Sequence, residues 1–268
     1  MKKLIISGLL LMFIGIAIYV NNQYGLLSMV GLNGKGLAAK EVKGDLAYME
    51  ASSDAEVDHT AWHQLLQKHV ASIGFVDYKG FLADKKKLEA YLVMLSMKIP
   101  TDNWSVQEQL AYYINAYNAY TVNLILDNYP VKSIKDINKP WNIDIVKIGD
   151  KELSLGALEH SILRKMNEPR IHFAINCASG SCPKLLNEAF TADRLDDQLN
   201  QVTKGFINST NNTISKDKVE LSKIFKWYKG DFMDGDLITY INQYADIKIG
   251  PNAKISYKEY DWNLNGSW

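Results

Sequence analysis

Five side chains whose types could support catalysis lie within 24 positions of one another: Glu159, His160, His172, Cys177 and Cys182. A thiol with a pKa of about 8.5 is mostly protonated at neutral pH, and a neighbouring imidazole can take its proton. Cys177 would then be a nucleophile, with His160 or His172 as its base. Glu159 or Asp261 would orient the imidazole. This set of groups suits acyl transfer.

The two cysteines admit two other interpretations. Cys177 and Cys182 enclose a short loop that contains Gly180, and a disulfide across that loop is sterically possible. Such a bond would occupy both sulfurs and fix the shape of the loop. Alternatively, His172 and the two cysteines could bind zinc with a carboxylate as fourth ligand, although their spacing differs from that of short zinc knuckles. The residues leave all three interpretations open.

Two predicted elements must position this group. Ser154 is expected to cap a helix over 155–165, which carries the glutamate and the first histidine. Apolar residues alternate with polar or small ones over 170–177, and this period of two predicts a strand that leads into the cysteine loop.

A long helix is predicted over 105–127, because a serine and a glutamate three residues apart form a capping box at its start. Asn115 and Asn118 lie one turn apart within it. Asparagine competes with the helix backbone for hydrogen bonds, so two of them indicate either specific polar partners or an exposed face. We take both, together with Arg170, as candidate substrate-binding residues.

The remaining elements complete an α+β fold, an antiparallel sheet with packed helices. Further helices are predicted from about residue 60 and over 85–97, 191–208 and 237–244, hairpins over 143–153 and 213–221, and extended segments over 75–78 and 254–264. Residues 24–58 lack a sustained apolar period and are expected to form a linker, which leaves 59–268 as the globular domain.

Composition excludes several classes of protein. The 268 residues balance 30 Lys and Arg against 30 Asp and Glu, and no basic excess favours nucleic-acid binding. Two cysteines are too few for a disulfide-dense scaffold. No glycine-rich phosphate loop or familiar hydrolase motif is present, so we expect no cofactor. The composition leaves open whether the ligand is a small molecule or a peptide.

The first 23 residues predict the compartment. Lys2 and Lys3 precede an uncharged run from Leu4 to Val20, which as a helix spans about 25 Å. We expect an uncleaved anchor that is in contact with the membrane, or else a signal peptide. Because basic residues stay on the cytoplasmic side, the domain is expected outside the cytoplasm, and secreted if the segment is cleaved.

From about Trp62 to Phe232 the chain resembles the domain of unknown function 547 family. The resemblance rests on ordered segments at Tyr113–Ala119, Asn128–Ile134, Leu158–Arg164, Pro169–Ala174, Cys177, 181–183 and Ile224–Tyr228, and on a closing motif at Tyr260–Leu264. The family is uncharacterised, so the resemblance implies little about function. The residues in these motifs are of polar and reactive types. This composition is expected for a functional site that the family shares, and equally for a buried polar network that it shares.

A more distant similarity concerns the order of a helix, a His-bearing strand and an Asp-bearing strand. This order is similar to papain-like and transglutaminase-like folds. In those folds the nucleophilic cysteine lies at the start of the central helix, where this chain has only Asn115 and Asn118.

The sequence therefore predicts a membrane-anchored extracytoplasmic domain, with a hydrolase or acyl-transfer enzyme acting on a peptide-like or envelope substrate as the first hypothesis. The second is a non-catalytic envelope binding module with a structural Cys177–Cys182 disulfide. The third is a zinc-binding protein.

Overall fold

The computed structural model describes residues 14, 16, 17, 20, 21, 25–51 and 57–266. The predicted anchor or signal segment, residues 1–23, lies for the most part outside these residues. None of the helices formed by the described part of the chain is long and apolar enough to cross a membrane.

Ten α-helices and five strands are found among the described residues. The helices are α1 Leu26–Met29, α2 Thr60–His69, α3 Tyr78–Ala83, α4 Lys85–Met97, α5 Val106–Asp127, α6 Leu155–Ser161, α7 Ile171–Ala174, α8 Leu195–Ile207, α9 Lys223–Trp227 and α10 Leu237–Tyr244. The strands are β1 Asp144–Ile148, β2 Lys151–Ser154, β3 Thr213–Ile214, β4 Lys218–Leu221 and β5 Lys254–Tyr257. Short 3₁₀ turns lie at Leu46–Tyr48, Ile134–Asp136, Leu163–Met166, Lys229–Asp231 and Met233–Gly235.

Helix α5 is the centre of the main core, since residues on all of its faces are buried. Ser105 caps it by accepting a hydrogen bond from the Glu108 amide at 3.1 Å, and the Glu108 carboxylate accepts the Val57 amide at 3.0 Å. The helix ends at Asp127, before a proline that cannot continue it. The prediction of a helix over 105–127 is confirmed.

The strands form two small sheets. β1 and β2 pair antiparallel around a turn in which Gly149 has a positive φ of 59°, the backbone region that glycine adopts at least cost. β3 and β4 also pair antiparallel, whereas β5 lies parallel to β4. Both hairpins and the α+β class are therefore confirmed, although the second sheet is mixed.

The strand predicted over 170–177 is wrong. Residues 171–174 form α7, and all four are buried. Because protein surrounds this single helical turn on every side, the alternation of residue types does not correspond to an inner and an outer face. His172 is consequently on a helix, and the His-bearing strand of the papain-like order is absent among the described residues.

Other boundaries differ more modestly. The helix predicted over 155–165 ends at Ser161 and is followed by a 3₁₀ turn, and α8 begins at Leu195 rather than at residue 191. Helix α3 was not expected, and Asp77 caps it by accepting the Gly80 amide. After Tyr257 the chain runs on as an irregular segment with isolated bridges instead of a strand to residue 264.

The described residues of the segment predicted as a linker pack against the domain. Val42 and Leu46 are buried in the main core. The Val42 amide donates to the Met166 carbonyl at 2.8 Å, and the Lys40 amide donates to the Gln109 side chain at 2.8 Å. These contacts attach the segment to α5 and to the 3₁₀ turn at Leu163–Met166.

Candidate functional site

A pocket of about 390 Å³ lies where α1, α5, α6, α7 and α9 meet the segment that follows β5. Its walls include Tyr117, Trp141, Glu159, Cys177, Trp227 and Tyr260. His160, His172 and Cys182 also line it. The structure thus brings the five reactive residues predicted from the sequence to one cavity.

Cys177 reaches the pocket through a constrained loop after α7. Ala178 has a φ of 57°, a left-handed conformation that costs a non-glycine residue roughly 1 to 2 kcal/mol. The Ala178 amide donates to the Asn176 side chain at 2.8 Å, and the Ala178 carbonyl accepts the Asn265 amide at 3.2 Å. Strain held by such contacts often accompanies functional sites.

The Cys177 sulfur is half-buried and has three polar neighbours. It lies 2.9 Å from the Cys182 sulfur, 3.2 Å from the Ser179 hydroxyl and 3.3 Å from the Tyr260 hydroxyl. Hydrogen bonds from Cys182, then from Ser179 and Tyr260, lower the pKa of Cys177, although burial opposes the shift. These donors stabilise the thiolate, which is the nucleophilic form of cysteine.

Cys182 behaves in the opposite way. Its sulfur is buried, and burial raises its pKa well above the ordinary value. Cys177 is therefore the thiol of the pair that ionises more readily. Both cysteines are free thiols in the structure, and the predicted disulfide is not formed.

Glu159 accepts hydrogen bonds from two tyrosines. The Tyr228 hydroxyl donates to Oε1 at 2.5 Å and the Tyr117 hydroxyl donates to Oε2 at 3.2 Å. The carboxylate therefore holds aromatic walls of the pocket in place, and neither histidine is among its hydrogen-bond partners in the described chain.

His172 is instead oriented by Asp231, whose Oδ2 lies 2.8 Å from Nε2. Arg164 binds the same carboxylate through two hydrogen bonds of 2.6 and 2.7 Å. Burial opposes the charge, but the bonds from Arg164 and His172 hold the pKa of Asp231 well below its usual range. The imidazole stacks on Tyr228 with ring centres 4.0 Å apart.

The second nitrogen of His172, Nδ1, is buried and has no hydrogen-bond partner among the described residues. If Nε2 donates its proton to Asp231, Nδ1 is left as a proton acceptor. His160 is less constrained: its Nδ1 lies 3.4 Å from an Arg164 nitrogen, and burial lowers its pKa.

The remaining predicted site residues lie outside the pocket. The Asp261 carboxylate is exposed and accepts the Asn263 amide and side chain. Asn115 and Asn118 are buried, and each binds backbone on both sides of its amide group. Arg170 is enclosed by acidic and amide side chains. The sequence left two alternatives for the asparagines, specific polar partners or an exposed face. The structure shows the first.

Sequence reasoning missed several residues of the site. Asp231 takes the orienting role considered for Glu159 and Asp261, and Ser179 and Tyr260 supply the hydroxyls at Cys177. Asp231 lies 59 positions from His172, and Tyr260 lies 83 positions from Cys177. Only the tertiary fold brings such distant residues together, so no local spacing could have revealed them.

No group of three or more His, Cys, Asp or Glu side chains in the described part of the chain could hold a metal ion. The zinc ligands considered for the sequence, His172 and the two cysteines, are therefore not arranged as a metal site.

Fold and site together define an α+β protein with two thiols in an aromatic pocket. Over residues 101–207 the chain matches the family described as "Protein of unknown function, DUF547", which confirms the family recognised from the motifs. The matched range contains both cysteines, Glu159 and His172 but ends before Asp231 and Tyr260. No curated protein and no solved structure matches the chain.

Proposed function

We propose that this protein is a thiol-dependent acyl-transfer enzyme, in its simplest form a hydrolase, with Cys177 as the nucleophile. One observation carries the proposal: the Cys177 sulfur lines a pocket of about 390 Å³ and is surrounded by hydrogen-bond partners that favour its thiolate. A partly accessible thiol in a cavity, with partners that favour its thiolate, suits nucleophilic attack better than a structural role.

The reaction follows from this arrangement. The Cys177 thiolate attacks the carbonyl carbon of an ester, thioester or amide, the bond to the leaving group breaks, and the leaving group takes a proton from the protonated imidazole of His172. An acyl group is then bonded to the sulfur. Water attacks the acyl carbon, gives its proton to a base, and the thiolate leaves as the acid product forms. Transfer to another nucleophile differs only in the second step.

His172 is the base that we assign to the second step. Asp231 holds its Nε2, and its Nδ1 has no partner among the described residues. A carboxylate that fixes the tautomer and orientation of an imidazole is the arrangement found in catalytic triads. Neither histidine forms a hydrogen bond with the Cys177 sulfur in the described part of the chain. His172 therefore serves water or the leaving group rather than the thiol directly.

The compartment is also part of the proposal. The uncharged run over 4–20 and the two lysines before it support an anchor with the domain outside the cytoplasm. We accordingly propose a peptide-like or cell-envelope substrate.

The test uses the purified full-length protein with p-nitrophenyl butyrate. We expect Cys177→Ala to abolish turnover, with a loss of at least about 10³-fold, as for other nucleophiles. The matched variant, Cys182→Ala, should keep measurable but reduced turnover, because its sulfur supports the thiolate without attacking the substrate. Mass spectrometry should detect an acyl group on Cys177. Unchanged turnover in Cys177→Ala would overturn the proposal.

A second candidate is a non-catalytic binding module in which Cys177 and Cys182 form a disulfide. The 2.9 Å separation of the two sulfurs favours it. Peptide mapping of protein purified from an oxidising compartment without reductant distinguishes the candidates. A permanent cross-link would support the binding module, whereas free thiols that react with iodoacetamide would support the enzyme.

A further inference from the structure

We propose that the pocket opens at the membrane surface and that its substrate is an amphiphilic acyl ester, whose apolar chain enters from the bilayer. This inference rests on the acyl-transfer function and the anchor proposed above. It adds the class of substrate and the direction from which the substrate arrives.

The first support is the position of the segment 25–34. Gly25, Ser28 and Met29 line the pocket. The segment is attached to α6, the helix that carries Glu159, because the Ser161 hydroxyl donates to the Ser28 carbonyl at 3.4 Å and accepts the Asn33 amide at 3.1 Å. One wall of the pocket is therefore built from residues that follow the apolar run closely.

The segment 25–34 packs against α6 so closely that only small side chains fit at some of its positions. A β-carbon at Gly34 would lie 3.0 Å from the Ser161 carbonyl oxygen. Gly31 has a φ of 72°, a conformation that favours glycine. The segment is thus fitted to α6 rather than loosely placed beside it.

The outer face of the same segment is apolar. Its exposed apolar residues have 44 to 72% of their surface accessible: Leu26, Leu27, Met29, Val30 and Leu32. Single exposed apolar side chains are normal, but five within seven positions form a patch that needs an apolar partner. Trp227, another pocket residue, is 46% exposed, and tryptophan is enriched where proteins meet the membrane interface.

Continuity with the apolar run identifies that partner as a bilayer. Asn21 directly follows the run over 4–20, and its carbonyl accepts the Gly25 amide at 2.6 Å. Its side chain accepts the Leu27 amide at 2.8 Å. The patch and the pocket wall therefore begin within a few residues of the run, and a run inserted in a membrane leaves them at its surface.

The pocket walls suit an acyl chain. Trp227 and Trp262 are stacked with ring centres 5.9 Å apart, and Trp141 meets Trp262 edge-on at 5.7 Å. Tyr260 joins this aromatic cluster beside the Cys177 sulfur. An ester carbonyl at the sulfur would place its hydrocarbon chain among these rings, where burial of its methylenes away from water favours binding.

Chain-length selectivity of the full-length protein in mixed micelles gives the first measurement. We expect kcat/KM for a dodecanoyl ester to exceed that for a butanoyl ester by at least about 10-fold. Met29→Gln should reduce this preference, whereas Met97→Gln should leave it unchanged. Met97 is exposed at the end of α4 and is not a pocket residue.

A second measurement does not depend on turnover. In phosphatidylcholine vesicles with brominated acyl chains, the bromine should quench the fluorescence of Trp227 in the reconstituted protein. Trp227→Phe should lose this quenching, and Trp104→Phe, which changes a buried tryptophan, should retain it.

The outcomes are distinguishable. Cys177-dependent hydrolysis without chain-length preference and without quenching would overturn this inference and leave the proposed function intact. Quenching at Trp227 without hydrolysis of any ester would support the membrane-facing pocket and overturn the proposed function.

Discussion

Two polar clusters lie at opposite ends of the short helix α7 and differ in how completely their groups are paired. At the N-terminal end, Arg170 donates to Glu168 through two bonds and to Asp196 and Asn200 through one bond each, at 2.6 to 2.8 Å. At the C-terminal end, Cys177 faces a cavity. His172 on α7 lines the same cavity and has a ring nitrogen without a partner in the described chain.

The difference distinguishes a cluster that stabilises the fold from a cluster whose groups can react. Both clusters are made of the residue types that suggest function in a sequence. A guanidinium with four of its five N–H donors bound by protein side chains stabilises the fold and has little left for a ligand, whereas a thiol that lines a cavity and an imidazole with one unpaired nitrogen can react. The contacts of Arg170 favour a stabilising role over the substrate-binding role predicted from the sequence. Substitutions in the two clusters test this difference.

The largest effect is expected from Arg170→Met. It leaves the buried Glu168 carboxylate and the Asp196 carboxylate without their cation, and breaking such a pair typically costs about 3 to 5 kcal/mol in the free energy of unfolding. Urea denaturation measures the loss. Arg194→Met is the control, because Arg194 pairs with Glu188 at an exposed position and should cost at most about 1 kcal/mol. Equal losses in the free energy of unfolding of the two variants would contradict the stabilising role of Arg170.

Asn115→Ala should have the second largest effect on the free energy of unfolding. The substitution leaves the buried amide and carbonyl of Phe190 unpaired, at a cost of about 2 to 4 kcal/mol. Asn123→Ala on the same helix removes a bond to the exposed Asp127 carboxylate instead and should have a smaller effect. The rate of Cys177 alkylation in folded protein should not change in either variant. A changed rate would mean that Asn115 belongs to the site after all.

A smaller effect is expected for Asp231→Asn, and it should depend on pH. The folded-state pKa of Asp231 is depressed, so its contribution is present above the unfolded pKa of about 3.9 and is lost as pH falls through the folded value. At neutral pH the variant should be less stable by about 2 kcal/mol. Unfolding measured from pH 7 to pH 2 should show this difference shrinking in acid. A constant difference would exclude the charge as its cause.

The smallest effect on stability, within about 1 kcal/mol, is expected for Tyr260→Phe. Because Tyr260 supports the Cys177 thiolate, the pKa of Cys177 should rise and alkylation by iodoacetamide at neutral pH should slow several-fold. Tyr257→Phe, a nearby tyrosine outside the pocket, should leave the alkylation rate unchanged. An unchanged pH profile in Tyr260→Phe would remove this hydroxyl from the site.

Local signals predicted much of the fold. The cap at Ser105 fixed the start of α5, and turn residues between apolar runs marked both hairpins, because those features depend on neighbouring residues. The alternation over 170–177 failed since burial on all sides removes the link between period and face. The cysteines and His172 were found from their types, but Asp231 and Tyr260 come from distant positions that only packing defines.

The separation of Cys177 and Tyr260 in the sequence also determines the order in which the groups of the site appear during synthesis. During synthesis the cysteines emerge well before Asp231 and Tyr260, so a nascent chain carries its thiols before their activating partners are in place. The thiolate-stabilising surroundings of Cys177 are therefore complete only after the aromatic segment beyond β5 has docked and the Tyr260 hydroxyl has joined Cys182 and Ser179 at the sulfur.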